Sequence, residues 1–195
     1  MRTFTKQSSA VRRRALLEAA SRLFRAHGYA DTRMSAIARE AGLSKGGVYF
    51  HFPSKDALLL ATLAFDTEQF DQRLRDRANT AKDGNGRLTL YITEYLDALG
   101  TGMPLDLWVQ ALRLPEGVEL LRAAYQRGRD DLANLLSDRS GQPDQAAHRL
   151  GATLVLALLD GLDWQATIDP HTVPEPVLLR QAVVHMIQGL DDTHG

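Results

Sequence analysis

Two short helical segments hinged on a glycine and closed by a proline constrain this chain more than any other feature. They lie in TRMSAIAREAGLSKGGVYFHFPSK, from Thr32 to Lys55. Met34, Ile37, Ala38 and Ala41 repeat apolar residues at helical spacing, with Thr32 expected as the N-cap. Gly42 can end that helix in a left-handed conformation at no Cβ cost. Leu43 turns inward, and the Ser44 hydroxyl can cap a second helix. In that helix Val48 and Phe52 point one way, while Lys45, Gly46, Tyr49 and His51 face outward. Pro53 opposes continuation, and Ser54 opens a third helix with Asp56 near its positive end. Two short helices joined by such a turn form a helix-turn-helix, whose second helix enters a DNA major groove.

Residue identities sharpen that reading. The run IAREAGLSKGGVYFHFPSKDAL resembles the signature of TetR-type (tetracycline-repressor-like) transcription regulators, and the likeness extends back to Leu16 through LLEAASRLFRAHGYADTRM. One departure is Gly47, where many family members carry Thr, Ser or Ala; Gly46 and Gly47 each cost about 1 kcal/mol in helix propensity but let backbone approach DNA closely. The resemblance implies an all-α protein in which a three-helix head, residues 10–56, is joined by a long helix to an effector-binding and dimerising body, residues 57–195. It also implies that Lys45, Gly46 and Gly47 face bases, with Ser44 capping their helix at the same surface, and that Ser35 lies near the groove. Tyr49 and Lys55 match positions that contact operator phosphates, and a phenol and a lysine are both suitable donors for that contact. His51, between Phe50 and Phe52, is read as a further DNA contact.

Charge points the same way. The whole chain carries a formal net charge of −1, but residues 1–55 hold eleven Lys or Arg against three Asp or Glu, net +8, and the remainder is net −9. An asymmetry of this kind points to contact of one half with nucleic acid or an anionic membrane. Lys6, Arg12, Arg13 and Arg14 extend the basic surface into an N-terminal arm that can reach phosphates. The absence of cysteine leaves no disulfide framework and fits a reducing, cytoplasmic setting. No secretory signal core or membrane-length apolar run is present.

Helical periodicity continues throughout, and no strand pattern is found. Helix 1 is expected over Val11–His27, ended by Gly28, and helix 4 over Lys55–Ala78, about 35 Å long. Gly84, Asn85 and Gly86 read as a turn. Helices 5 to 9 are expected over 88–99, 105–114, 116–137, 145–168 and 177–190.

The stretch GATLVLALLDGL, from Gly151, is apolar nearly all round, so it needs burial on all sides. It is similar to the C-terminal part of TetR-type regulators, where helices 8 and 9 of two subunits form a four-helix bundle. Leu154, Leu158, Leu162, Leu179, Val183, Met186 and Ile187 are therefore expected in a homodimer interface.

No catalytic, metal or cofactor constellation stands out. The six histidines have no metal spacing, and no serine lies in a nucleophile elbow. Asp160 and Asp163, at i and i+3, are expected to serve a helix terminus or a salt bridge rather than chemistry. Phe65, Tyr91, Tyr95, Met103, Trp108, Tyr125 and Trp164 are expected to hold an apolar or aromatic effector beside helix 4. These readings describe a ligand-responsive repressor of a palindromic operator. The competing readings are a helical-bundle enzyme or stress protein without DNA binding, and a regulator whose body binds a protein.

Overall fold

A computed structural model describes residues 8–141, 145–169, 171, 174 and 176–191. Among these the backbone forms nine α-helices and no strand: α1 (Ser9–Asp31), α2 (Met34–Glu40), α3 (Lys45–His51), α4 (Lys55–Ala78), α5 (Gly84–Asp97), α6 (Leu105–Leu112), α7 (Pro115–Ser140), α8 (Gln145–Ile168) and α9 (Pro176–Asp191). Lys6 and the first residues of the basic arm lie outside the described residues.

Local chemistry explains most boundaries. The Ser8 hydroxyl accepts the Val11 N–H at 3.3 Å, and Ser44 and Ser54 accept the N–H groups of Gly47 and Ala57 at 3.1 and 3.0 Å. Gly28, at φ +73°, breaks α1 three residues before its last turn ends. Two expectations are corrected here. Thr32 does not cap α2: its hydroxyl donates back to the Gly28 carbonyl at 2.7 Å, and Arg33 takes the N-cap position. A threonine beside carbonyls freed by a helix break finds an acceptor behind it before it finds an amide ahead. Gly84, Asn85 and Gly86 are not a turn but the first turn of α5, because the Asp83 carboxylate accepts the Gly86 N–H at 2.8 Å and nucleates the helix there.

The chain packs as two compact units. The first comprises the residues up to Thr67 together with Met103–Leu121, so α6 packs with the helix-turn-helix although it lies far along the chain. Its core joins Leu16, Ala20 and Phe24 of α1 to Ile37, Val48, Phe52, Leu58 and Leu63, and then to Leu107 and Ala111 of α6. The corner between α6 and α7 is tight enough that a Cβ on Gly117 would stand 2.0 Å from the Ala111 carbonyl oxygen.

The second unit comprises Glu68–Gly102 and the residues from Arg122 onward. Leu74, Tyr91, Ile92, Leu132, Val155, Leu159, Leu179 and Val183 lie in its core. Ion pairs tie its helices: Arg127 to Asp71 at 3.0 Å, Arg75 to Asp131 at 3.1 Å and Arg87 to Asp138 at 2.6 Å. α8 and α9 present apolar side chains outward, and only some of these are the residues expected at a dimer interface. Leu154 is 50% and Met186 44% exposed, joined by exposed Leu150, Val177 and Leu178. Leu179 and Val183, expected at a dimer interface, instead fill the core of their own chain, and Leu158 and Leu162 pack partly against that core. The Ile187 side chain lies outside the described residues.

Candidate DNA-binding and effector sites

The DNA-reading surface follows from what α3 buries. Val48 and Phe52, four residues apart, are fully or almost fully buried, so the opposite arc of the helix is left outward. Lys45, Gly46 and Tyr49 lie on that arc with Ser44 before them, all exposed, and Gly47 and His51 are partly exposed at its edges. Ser35 is exposed in the first turn of α2. Phe50, assigned no role from the sequence, is 81% exposed, with its ring edge-on to His51 at 5.2 Å. Helical spacing carried that signal, since position 50 falls midway between the buried 48 and 52. Arg33 and Arg39 add exposed positive charge on α2. Arg13 lies 5.2 Å above the buried Phe52 ring, which anchors part of the basic start of α1.

Lys55 occupies a joint rather than open surface. Its ammonium donates to the Ala30 carbonyl at 3.1 Å and sits 4.2 Å from the Tyr29 ring centre. Burial lowers its pKa, opposed by the nearby Asp31 and Asp56 carboxylates. The Tyr29 hydroxyl donates to Asp56, and burial together with that carboxylate raises the phenol's pKa.

The residues expected to hold an effector divide between the units. Phe65, Met103 and Trp108 pack on the core of the first, where the Trp108 indole donates to the Met103 carbonyl at 3.1 Å. Trp108 is thus a core residue beside the helix-turn-helix. A groove on this unit is lined by Leu23, His27, Asp31, Thr32, Ala36 and Arg39, and none of the seven residues borders it. Tyr91, Tyr95, Tyr125 and Trp164 belong to the second unit. Tyr91 is fully buried core.

Tyr95 and Tyr125 do come together, and they do so on Asp160. The Tyr95 hydroxyl donates to Asp160 Oδ1 at 2.6 Å, and Tyr125 makes a second hydrogen bond to the same carboxylate. Burial, with the Asp160 and Asp163 charges, raises both phenols, Tyr125 to about 12. Burial also raises the Asp160 pKa; the two phenol bonds oppose the shift and Asp163 adds to it. The salt bridge expected for this pair is not found: among the described residues no basic group faces Asp160, whereas buried Asp71 has Arg127 and Arg75. Asp163 instead accepts the Gly100 N–H at 2.8 Å, beyond the end of α5. Trp164, one turn beyond Asp160 on α8, is 38% exposed. The arrangement is a partly buried carboxylate held by two phenols, with no counter-charge among the described residues.

Among the described residues no group of three His, Asp or Glu side chains is set to hold a metal, and no helix is long and apolar enough to cross a membrane.

Comparison with known proteins places both halves. Residues 16–62 match the family described as bacterial regulatory proteins, tetR family, and residues 85–191 match the C-terminal region of BetI-type transcriptional repressors. The HTH-type transcriptional regulator BetI of Paraburkholderia phytofirmans is 30% identical over 178 residues, which cover 88% of this chain and 90% of that protein. A transcriptional regulator from Saccharomonospora viridis, solved in complex with choline, is 30% identical with a TM-score of 0.67, covering 95% of each chain. A TetR-family regulator from Mesorhizobium loti superposes with a TM-score of 0.76 at 20% identity, covering 95% of this chain and 97% of that one, and speaks to the fold alone. TetR-family regulators bind operator DNA, act as dimers and bind small-molecule effectors. The chain belongs to the TetR family, with a BetI-type C-terminal region, and is a ligand-responsive DNA-binding transcriptional repressor rather than an enzyme.

Proposed function

We propose that this chain acts as a cytoplasmic homodimer that holds a palindromic operator and releases it when a small organic cation of the choline kind binds the second unit at Asp160. The observation that carries the effector class is the Asp160 carboxylate between Tyr95 and Tyr125, which has no basic partner among the described residues. A partly buried carboxylate without a counter-ion is unfavourable until a cation joins it, and phenol rings are suited to a quaternary ammonium group. The choline-bound regulator from Saccharomonospora viridis supports the same class. This narrows the apolar or aromatic effector expected from the sequence: the aromatic walls stay, and a charge is added.

The test is calorimetric titration of choline into the parent protein and Asp160→Asn. Loss of one partner of a desolvated charge pair costs about 2 kcal/mol or more, so the variant binds at least about thirtyfold more weakly. The pH dependence has a fixed sign. The cation favours ionised Asp160, whose pKa is raised in the folded protein. Choline affinity is therefore full above that raised pKa and falls as acidification protonates the carboxylate, approaching about tenfold per pH unit. Equal affinity in parent and Asp160→Asn, with no loss on acidification, would show that the effector does not use this carboxylate.

For DNA, the exposed arc of α3 supports base contacts from Lys45, Gly46 and Gly47 and phosphate contacts from Tyr49. His51, Ser44 and Ser35 border the same surface. A lysine has three donors, so the Lys55 bond to Ala30 leaves two for phosphate. Lys45→Ala lowers discrimination at one base pair by about 1–3 kcal/mol, while Tyr49→Phe weakens binding uniformly across sequences. A panel of single-base operator variants measured at one salt concentration separates the two; a uniform loss with Lys45→Ala would make Lys45 a phosphate contact instead.

A further inference from the structure

Among the described residues Phe50 is the most exposed of the large apolar side chains, and it stands in the DNA-reading helix. At 3.6 residues per turn, position 50 is turned about 160° away from each of the buried residues Val48 and Phe52. It therefore lies opposite the face that α3 packs into the core, on the outward arc that also carries Lys45, Gly46 and Tyr49.

A single exposed apolar residue is ordinary on a protein surface. Two features set Phe50 apart. Position 46, one turn earlier on the same side of α3, is glycine, and a Cβ built there would meet nothing within 4 Å. Helical side chains lean toward the N-terminus, so a ring at 50 borders surface beside Gly46, where the helix offers only backbone. The ring is also backed rather than loose. It meets His51 edge-on with centres 5.2 Å apart, and His51 meets the buried Phe52 at 6.5 Å. This row of three rings ties the exposed one to the core beneath α3, which reduces the side-chain freedom lost on binding.

The chemistry of the ring selects its partner. A phenyl group has no donor for a phosphate oxygen, whereas the neighbouring Tyr49 hydroxyl has one. In the major groove, guanine, adenine and cytosine present hydrogen-bonding groups, and thymine alone adds an apolar C5-methyl group. Pressed against donors and acceptors, the ring would strip water from them and return no bond. Pressed against a methyl group, it removes apolar surface of both partners from water. We infer that Phe50 is a specificity-determining residue whose ring reads the C5-methyl group of a thymine seated beside Gly46. The inference rests on the base-facing arc of α3 proposed above. It adds an apolar contact at one base pair to the hydrogen bonds that Lys45 supplies at another.

The experiment uses a palindrome that the parent selects from random DNA, resynthesised with each symmetric pair of thymines replaced in turn by deoxyuridine. That change removes the methyl group and leaves every base-pairing hydrogen bond in place. The parent, Phe50→Ala and Phe50→Leu are titrated at one salt concentration; the ring is exposed, so both variants keep the parent's fold. Burial of one methyl group changes affinity about fourfold, so its loss from both half-sites weakens the parent about fifteenfold at one thymine pair. Phe50→Ala binds the unmodified duplex more weakly by about that factor and loses less than about threefold more on the deoxyuridine duplex. Phe50→Leu, which keeps an apolar side chain, keeps most of the methyl effect. A parent indifferent to deoxyuridine at every thymine pair overturns the inference and leaves the rest of the arc intact. A methyl effect of full size in Phe50→Ala also overturns it, since the dependence then comes from DNA shape. A parent that selects no palindrome removes the assignment of the α3 arc to DNA, and this inference with it.

Discussion

Leu154→Arg turns the repressor into a monomer that no longer retains a palindromic operator. Leu154 lies on α8 at 50% exposure, among exposed Leu150, Val177, Leu178 and Met186 of α8 and α9, and its neighbours Val155 and Leu156 face the core. A charge there leaves the single chain's packing untouched, but in the proposed homodimer it places an unpaired guanidinium in a desolvated seam between two copies, at a cost of several kcal/mol. Leu158 is less suited to the purpose because it packs partly against its own core. Dimerisation makes the second half-site contact intramolecular, so its loss lowers operator affinity by about 10²–10⁴-fold. The salt slope also falls to about half, since one head neutralises half as many phosphates. Sedimentation and operator titration at two salt concentrations check both effects; a variant that sediments as a dimer and binds as the parent does would place the interface elsewhere.

Gly117→Ala produces the largest loss of stability expected from so small a change. Two effects of opposite sign meet at this position. Alanine is favoured over glycine in a helix by about 1 kcal/mol. Against that, the new Cβ would stand 2.0 Å from the Ala111 carbonyl oxygen and 2.7 Å from its carbon, both backbone atoms that cannot rotate away. The corner between α6 and α7 must open, which draws Leu107 and Ala111 out of the core they share with α1 and α4. Overpacking of this kind costs about 1–3 kcal/mol, and displacement of buried leucine adds to it, so sterics win by about 2 kcal/mol or more. A thermal melt should fall by about 4–8 °C for a chain of this length. A melt equal to or above the parent's would mean that the corner opens without disturbing the core.

Much of the fold was legible because it rests on local chemistry. The α4 and α8 boundaries follow from Ser54, from the apolar run after Gly151 and from the polar ends of each helix. The recognition helix follows from Ser44, the buried pair Val48 and Phe52, and Pro53. What was not legible depends in part on which of several nearby partners a polar side chain takes, and in part on residues distant in sequence. Thr32 prefers the Gly28 carbonyl because Gly28 breaks the helix there, and the Gly84–Gly86 stretch is helical because Asp83 caps it. Spacing along α9 could not separate Leu179 and Val183, which fill the core, from Met186, which does not. Trp108 packs beside the helix-turn-helix only because α6 returns there from far along the chain. At the effector site Tyr95 and Tyr125 were visible as aromatics, but no pattern reveals which acidic side chain lacks an arginine. Asp71, Asp131 and Asp138 each have one, and Asp160 has phenols instead.

Coupling between effector and operator is the central claim, and fluorescence anisotropy of one labelled operator tests it most directly. The duplex is a palindrome selected by this protein from random DNA, with half-sites about one helical turn apart, titrated at fixed salt and neutral pH with and without saturating choline. The account predicts that choline weakens binding about a hundredfold, equivalent to a coupling of about 2.7 kcal/mol, and that Asp160→Asn binds the same duplex but needs at least about thirtyfold more choline to be released. Operator affinity unchanged by choline in the parent protein would contradict it.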